Sequence, residues 1–376
     1  MNTSFLISQK IDENTNFVFL KKSKRFLIVE NFYLDLFSHY NKLTKSKFKN
    51  YLSEKFLDLN SDSIYNELYE LFQYSDSLSD LAQNNYVIPN KLKKFKFKMA
   101  NDYFTINYDD SQIVKSVIGQ LFHLKNNSSK ESKNYYVFKN NDNFFLNDDY
   151  QNLGSWKKDD LHYLTGKLLS FFICEFHKLP EKKWSGFLHA SAISKDNRAF
   201  LVIGESGDGK STCSAILCKH GYNLMVDDIS PINREGKVGN FPNSISIKNP
   251  SMEKINDLYS HKKINFAINT KKGKVRYLNP AGLGKFTPNT LSCFDIIKIK
   301  YDEKKENSIK QVKLKDILPI IINESYFPSS VKSVKSLMNW FINCKYYNIN
   351  YNNDRMLVNF FEKIRNKSHT RLGNQK

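Results

Sequence analysis

Cysteine is sparse in this chain: five in 376 residues, at Cys174, Cys213, Cys218, Cys293 and Cys344. Their number is odd, they are scattered, and no Cys-x-x-Cys pair occurs, which excludes a disulfide framework and a zinc knuckle. A secretory signal is missing as well, because "MNTSFLISQKIDENTN" has no basic start followed by an apolar core. The longest apolar stretch, around "LLSFFICEF", is too short to span a bilayer. No internal repeat is present. These absences predict a reduced, soluble, cytoplasmic protein with no membrane partner.

What is present is enough to bury a core. Hydrophobic residues make up 40% of the chain, with 29 Phe and 21 Tyr, and the length suits two or three domains. Lys and Arg number 57 against 38 Asp and Glu, a net charge of +19. Such a charge could serve nucleic acid. Here the lysines run along the whole chain in a composition also rich in Asn, Ile, Tyr and Phe, and no aromatic-plus-basic motif accompanies them. Nucleic acid is therefore not an expected partner, while a homo-oligomer stays open.

Patterning divides the chain into four parts. Residues 1–80 read as strands ("FVFL", "RFLIVE") followed by three helices, the last capped by Ser61 and Asp62. This is a small N-terminal accessory module. Residues 81–150 alternate, with hairpins around Asn101-Asp102 and around Lys139–Asp142, and form a β-rich connecting region. Lys94, Lys96 and Lys98 make one solvated, edge-protecting strand face there. Residues 151–365 begin with a helix capped by Asp160 and form the main domain. Residues 366–376 are a polar tail, expected to be disordered. The fold class expected is α/β, α+β overall, with a mixed sheet and flanking helices around a phosphate-binding core.

That core rests on "FLVIGESGDGKSTCSAI", where Gly204, Gly209, Lys210 and Ser211 fit Gly-x-x-x-x-Gly-Lys-Ser between a strand and a helix. Small residues let main-chain amides converge on phosphate oxygens, and the helix N-terminus adds partial positive charge. The cradle is Gly204, Glu205, Ser206, Gly207, Asp208, Gly209, Lys210, Ser211 and Thr212. Lys210 would reach the β- and γ-phosphates of ATP, and the Ser211 hydroxyl would ligate Mg²⁺. After Gly221 the strand "NLMV" ends in Asp227 and Asp228, running parallel to the loop strand. One of the two acids can serve the metal and the other can act as a base. His189 lies at the end of the strand before, flanked by the small residues Ala190 and Ser191.

The run "LHASAI…FLVIGESGDGKSTCSAILCKHGYNLMVDDISPI" resembles the core of the HPr kinase/phosphorylase family, whose P-loop fold is similar to that of phosphoenolpyruvate carboxykinase. "FPNSISIKNPSMEKI" and "VRYLNPAG" resemble the related bacterial serine kinases more than HPr kinase itself, and the likeness spans about residues 155–365. It implies Asp227 as the catalytic aspartate that takes the proton from a serine hydroxyl, Asp228 and Ser211 as metal-proximal residues, and His189 beside the transferred phosphate. Lys248 is a further phosphate or substrate contact to consider. The family's "EIRGLG"-like segment with its metal-binding glutamate has no counterpart here, so neither phosphorolysis nor recognition of HPr is implied. The strand-then-helix outline of residues 1–80 resembles the PqqD-like fold, which binds leader peptides of ribosomally made natural products. Together these imply an ATP- and Mg²⁺-dependent kinase acting on a serine of a peptide or protein, such as a precursor peptide. The residues alone also suit a nucleotide-binding regulatory module, a small-molecule kinase or a carboxykinase-like enzyme.

Overall fold

The computed structural model describes residues 5–56, 60–73, 87–109, 115, 117–259, 264–270, 273–279, 287–322, 325–327 and 330–372. It is a mixed α/β structure with several sheets. The chain forms two compact units, Met1–Ala82 with Ser329–Ile342, and Gln83–Pro328 with Asn343–Lys376.

In the first unit, strands Leu6–Lys10, Thr15–Leu20 and Arg25–Glu30 form an antiparallel meander, with Thr15–Leu20 in the middle. Successive side chains of a strand face opposite ways. Val18 and Leu20 pack with Leu36, Phe37, Phe48, Leu52, Leu68 and Phe72 of helices Asn31–Lys42, Lys45–Lys55 and Ser61–Phe72. Phe17, one residue before Val18 and so on the opposite face, meets Phe26 and Phe341, the latter from helix Val331–Asn343. Both faces of the middle strand are thus covered, which is why "FVFL" is an unbroken apolar run. The helix Val331–Asn343, assigned from sequence to the main domain, belongs to this unit instead. Two further details differ. The half-polar segment Leu6–Lys10 is a strand that its composition concealed, and Asn60, not Ser61 or Asp62, caps the third helix by accepting from the amides of Asp62 and Ser63.

The second unit opens with a five-stranded sheet in chain order, Lys93–Met99, Asp102–Tyr108, Lys133–Asn140, Asn143–Asp148 and Asn152–Lys157. Both expected hairpins are there, Lys93–Met99 with Asp102–Tyr108 and Lys133–Asn140 with Asn143–Asp148. Phe97, Phe104 and Tyr135 meet Phe172 of helix Leu161–His177 edge to face. Asp160 stands at that helix's N-cap, but its side chain makes no capping bond. This sheet belongs to the same compact unit as the phosphate loop.

The nine-stranded sheet carries the loop. From one edge its strands run Asn223–Val226, Ser191–Lys195, Arg198–Ile203 and Thr290–Tyr301, with Lys345–Tyr351 also paired to the last. Arg198–Ile203, Thr290–Tyr301 and Lys345–Tyr351 are mutually parallel. Asn223–Val226 is antiparallel to Ser191–Lys195, which is antiparallel to Arg198–Ile203. The acid-bearing strand therefore runs in the same direction as the loop strand, with one strand between them, and their C-terminal ends share an edge. Ligands of α/β sheets bind at such an edge. Helices Lys210–Lys219 and Asp354–Leu372 cover one face through Cys213, Ile216, Leu217, Leu357, Phe361 and Ile364, packed on Phe200, Val202, Ile297 and Ile349. The last helix runs to Leu372, through most of the tail expected to be disordered; residues 373–376 lie outside the described residues.

Candidate active site

The loop is built as its glycines require. Gly207 and Gly209 have φ of 106° and 92°, in the region that an L side chain rarely adopts. At Gly204 a Cβ would come within 3.0 Å of the Ile299 carbonyl, so only hydrogen fits without a shift. Asp208 Oδ2 accepts the Glu205 amide at 2.7 Å, and the Asp208 carbonyl accepts the Tyr301 amide at 3.2 Å. Both bonds hold the turn open beneath the start of helix Lys210–Lys219. The Lys210 ammonium is buried and donates to the carbonyls of Gly204 at 2.7 Å and Glu205 at 3.4 Å. An arriving phosphate would offer that cation a charged acceptor, a stronger partner than a neutral carbonyl. Thr212 Oγ1 donates to Ser251 Oγ at 2.8 Å, and Lys248 Nζ lies 3.5 Å from Ser206 Oγ, so Lys248 stands beside the loop.

The acids sit on a tight turn. The Ile229 amide donates to the Asp227 carbonyl at 2.9 Å across Asp228, whose φ is 70°. A three-residue turn with positive φ at a non-glycine centre is strained by about 1–3 kcal/mol. Asp227 is fully buried and surrounded by donors. Ser191 Oγ donates to its Oδ1 at 2.5 Å; Ser211 Oγ reaches its two oxygens at 3.3 and 3.1 Å; the Ser246 amide donates to Oδ2 at 3.1 Å. Burial, and next the charge of Asp228, push the Asp227 carboxyl up to about 6 against these donors. Asp228 is half-buried and accepts a hydrogen bond from Gln120 Nε2 to Oδ2 at 3.2 Å.

Of the residues read from sequence, Lys210, Ser211 and Asp227 come together, with Asp228 adjoining. Ser211 meets Asp227, the acid that the resemblance made the base, and not the one it made metal-proximal. His189 is the centre of a second three-residue turn, closed by the Ala190 amide on the Leu188 carbonyl at 2.8 Å, and its own amide donates to Ser325 Oγ at 2.9 Å. It lies two residues before Ser191, which holds Asp227. Four participants escaped the sequence reading: Ser191, Ser246, Gln120 and Asn243. Ser191 lies within "LHASAI", and Asn243 and Ser246 lie within "FPNSISIKNPSMEKI", both already singled out. Gln120 carried no local signal, because its partners are distant in sequence.

Among the described residues no three His, Cys, Asp or Glu side chains gather to hold a metal ion. The donor set suits a metal that arrives with a nucleotide. Ser211 Oγ and Asp227 Oδ2, 3.1 Å apart, are hard oxygen donors of the kind Mg²⁺ takes, one or two from protein and the rest from phosphate and water.

No protein-family model matches the chain. No curated protein matches it in sequence. Among solved structures, one described as the Hpr(Ser) kinase/phosphatase from Coxiella burnetii is similar over 49% of this chain and 97% of that chain, at 16% identity and a TM-score of 0.26. At that score the likeness carries neither fold nor activity, and what the site does is to be argued from its own geometry.

Proposed function

We propose that the chain is a kinase that transfers the γ-phosphoryl group of Mg·ATP to a hydroxyl. The observation that carries this reading is the Ser211–Asp227 contact at 3.1 Å, which joins the first turn of the loop helix to the acid-bearing strand. A hydroxyl and a carboxylate so placed are the pair that holds Mg²⁺ against β- and γ-oxygens in P-loop enzymes. The metal, when bound, neutralises charge that builds on those oxygens.

Roles follow from burial. Asp227, enclosed by three donor residues, is the acid toward the metal. Asp228, half-buried and outside that enclosure, is the acid left to accept the proton of the attacking hydroxyl. This exchanges the roles that the sequence resemblance gave them. Lys210 would leave the loop carbonyls for the β- and γ-phosphates, and the loop amides would take the remaining oxygens. Lys248, next to Ser206, is placed to meet the same end of the nucleotide. As the bond from the γ-phosphorus to its bridging oxygen breaks, one to the acceptor oxygen forms, and the acceptor's proton passes to Asp228. We further propose, on the sequence resemblance, that the acceptor is a serine of a peptide or protein, a precursor peptide among them, and that His189 lies beside the transferred group.

The test uses γ-labelled Mg·ATP with serine-containing peptide pools and phosphoamino-acid analysis of the product. Asp228→Asn is expected to bind nucleotide as the parent does and to lose transfer by about a hundredfold or more, the usual scale for a positioned base. Lys210→Ala is expected to lose nucleotide binding. If the parent binds Mg·ATP and labels no hydroxyl, including water, the kinase reading fails.

A further inference from the structure

We propose that Gln120, from the short 3₁₀ turn Gly119–Leu124, is a positioning residue that holds the acid pair in its reactive geometry. The inference rests on the kinase reading. Gln120 lies outside every motif of the phosphate core and 108 positions from the acid it touches. Its side chain is 5% exposed, so each of its polar atoms must be matched inside the protein.

The polarity of the network is set by the main chain. The Asp227 amide can only donate, and it donates to Asn243 Oδ1 at 3.1 Å. Asn243 Nδ2 therefore faces the other way, donating to the Asp227 carbonyl at 2.7 Å and to Gln120 Oε1 at 2.9 Å. With Oε1 engaged there, Gln120 presents its NH₂ to Asp228 Oδ2 at 3.2 Å and to Ser246 Oγ at 3.0 Å. Two amides thus run in relay from the backbone of one acid to the carboxylate of the next, and a Leu or Met of similar volume could not make the link.

A second layer fixes the relay. The Ser244 amide donates to the Gln120 carbonyl at 3.0 Å. His123, three residues on, contacts the Pro242 carbonyl through Nε2 at 2.8 Å and Ser244 Oγ through Nδ1 at 2.7 Å. Burial takes the His123 ring down to about 4, so near neutrality it is uncharged, with the proton on Nε2 facing the carbonyl and Nδ1 accepting from the serine. Gly119 completes the fit, since a Cβ there would lie 2.3 Å from the Tyr277 hydroxyl. The turn is thereby stitched to residues 242–246, the segment that also supplies Asn243 and the Ser246 amide to Asp227. Asp228 occupies a strained turn, and strain of this kind persists only where surrounding bonds over-determine it. Gln120 supplies the one such bond made to the Asp228 carboxylate among the described residues, and it leaves Oδ1 for the acceptor's proton.

The experiment measures single-turnover phosphate release from γ-labelled Mg·ATP, with water as acceptor, alongside nucleotide affinity and melting temperature. Gln120→Leu is expected to slow turnover about ten- to a hundredfold, the effect of a misplaced reacting group, with affinity for Mg·ATP changed less than about twofold. Gln120→Glu keeps the shape and the acceptor toward Asn243 but loses the donor, and it is expected to slow turnover at least as much should the leucine variant not fold. A double-mutant cycle supplies the reading that a packing role would not give. In the Asp228→Asn background, Gln120→Leu is expected to cost nothing further, because both changes disable the same step. Unchanged turnover in the Gln120 variants, or an equal fold-loss in the Asp228→Asn background, overturns the proposal. Absence of any turnover in the parent, with nucleotide bound, overturns the kinase reading beneath it and this proposal with it.

Discussion

At Asp227 two effects oppose each other: burial and the nearby Asp228 push the carboxyl up to about 6, while bonds from Ser191, Ser246 and Ser211 pull it back. The folded state thus holds this proton more tightly than the unfolded chain, where the group titrates near 3.8. Between about pH 4 and pH 6 the native state carries the extra proton, so stability falls as pH rises through that window and stays low above it. For the ligand-free chain the loss amounts to about 3 kcal/mol at most, from a rise to about 6. The Asp227→Asn variant, which carries no charge, is expected to melt higher than the parent at pH 8 and to lose that advantage by pH 4, as read by thermal unfolding. A parent whose melting point rises steadily from pH 4 to pH 8 relative to the variant would contradict this account. A metal ion arriving with nucleotide reverses the sign, because a cation beside the carboxylate favours its charged form. The sequence showed which polar and charged residues gather here, since Lys210, Ser211 and the two acids stand in a recognisable order. It did not show which acid would be enclosed, because that depends on Ser191 and Ser246 closing around the first of the pair.

Strand, glycine loop and helix over 198–219 were legible because each has a local cause: an apolar run, residues tolerant of positive φ, and helix formers closed by Gly221. The hairpins were legible for the same kind of reason. Caps were less so. Asn60 stands one residue before the expected Ser61, and its side chain satisfies the amides of Asp62 and Ser63 at 3.0 and 3.1 Å. Asn60→Ala is expected to lower stability by about 1 kcal/mol, measured by urea unfolding, whereas Ser61→Ala changes it little. The 3₁₀ turn Gly119–Leu124 lay beyond such reading altogether. Nothing in "GQLFHL" says that its glutamine meets an acid 108 positions away, since that contact is a product of the packed unit and not of the segment.

The division of the chain into units was the feature least open to local reading. Helix Val331–Asn343 is amphipathic, and nothing in its pattern states which apolar surface it covers. In the structure Phe341 meets Phe17 of the first unit, their ring centroids 6.0 Å apart. A fragment ending at residue 82 therefore lacks the cover for one face of its middle strand. Such a fragment is expected to bind a hydrophobic dye and unfold at low denaturant, and to gain a cooperative transition when residues 329–343 are joined to it through a flexible linker. Full cooperativity in the short fragment would show that the helix contributes nothing.

The segment that completes the first unit is encoded between the strands Thr290–Tyr301 and Lys345–Tyr351, which pair in the other. On the ribosome, then, residues 1–82 wait until residues 329–342 have been made before their unit is complete. In a lineage the same interleaving means that this unit cannot be dropped or traded by a single cut in the coding sequence. Any such exchange leaves an amphipathic helix in the chain just before Lys345–Tyr351 and without the strand that it covers, so the two parts are inherited as one.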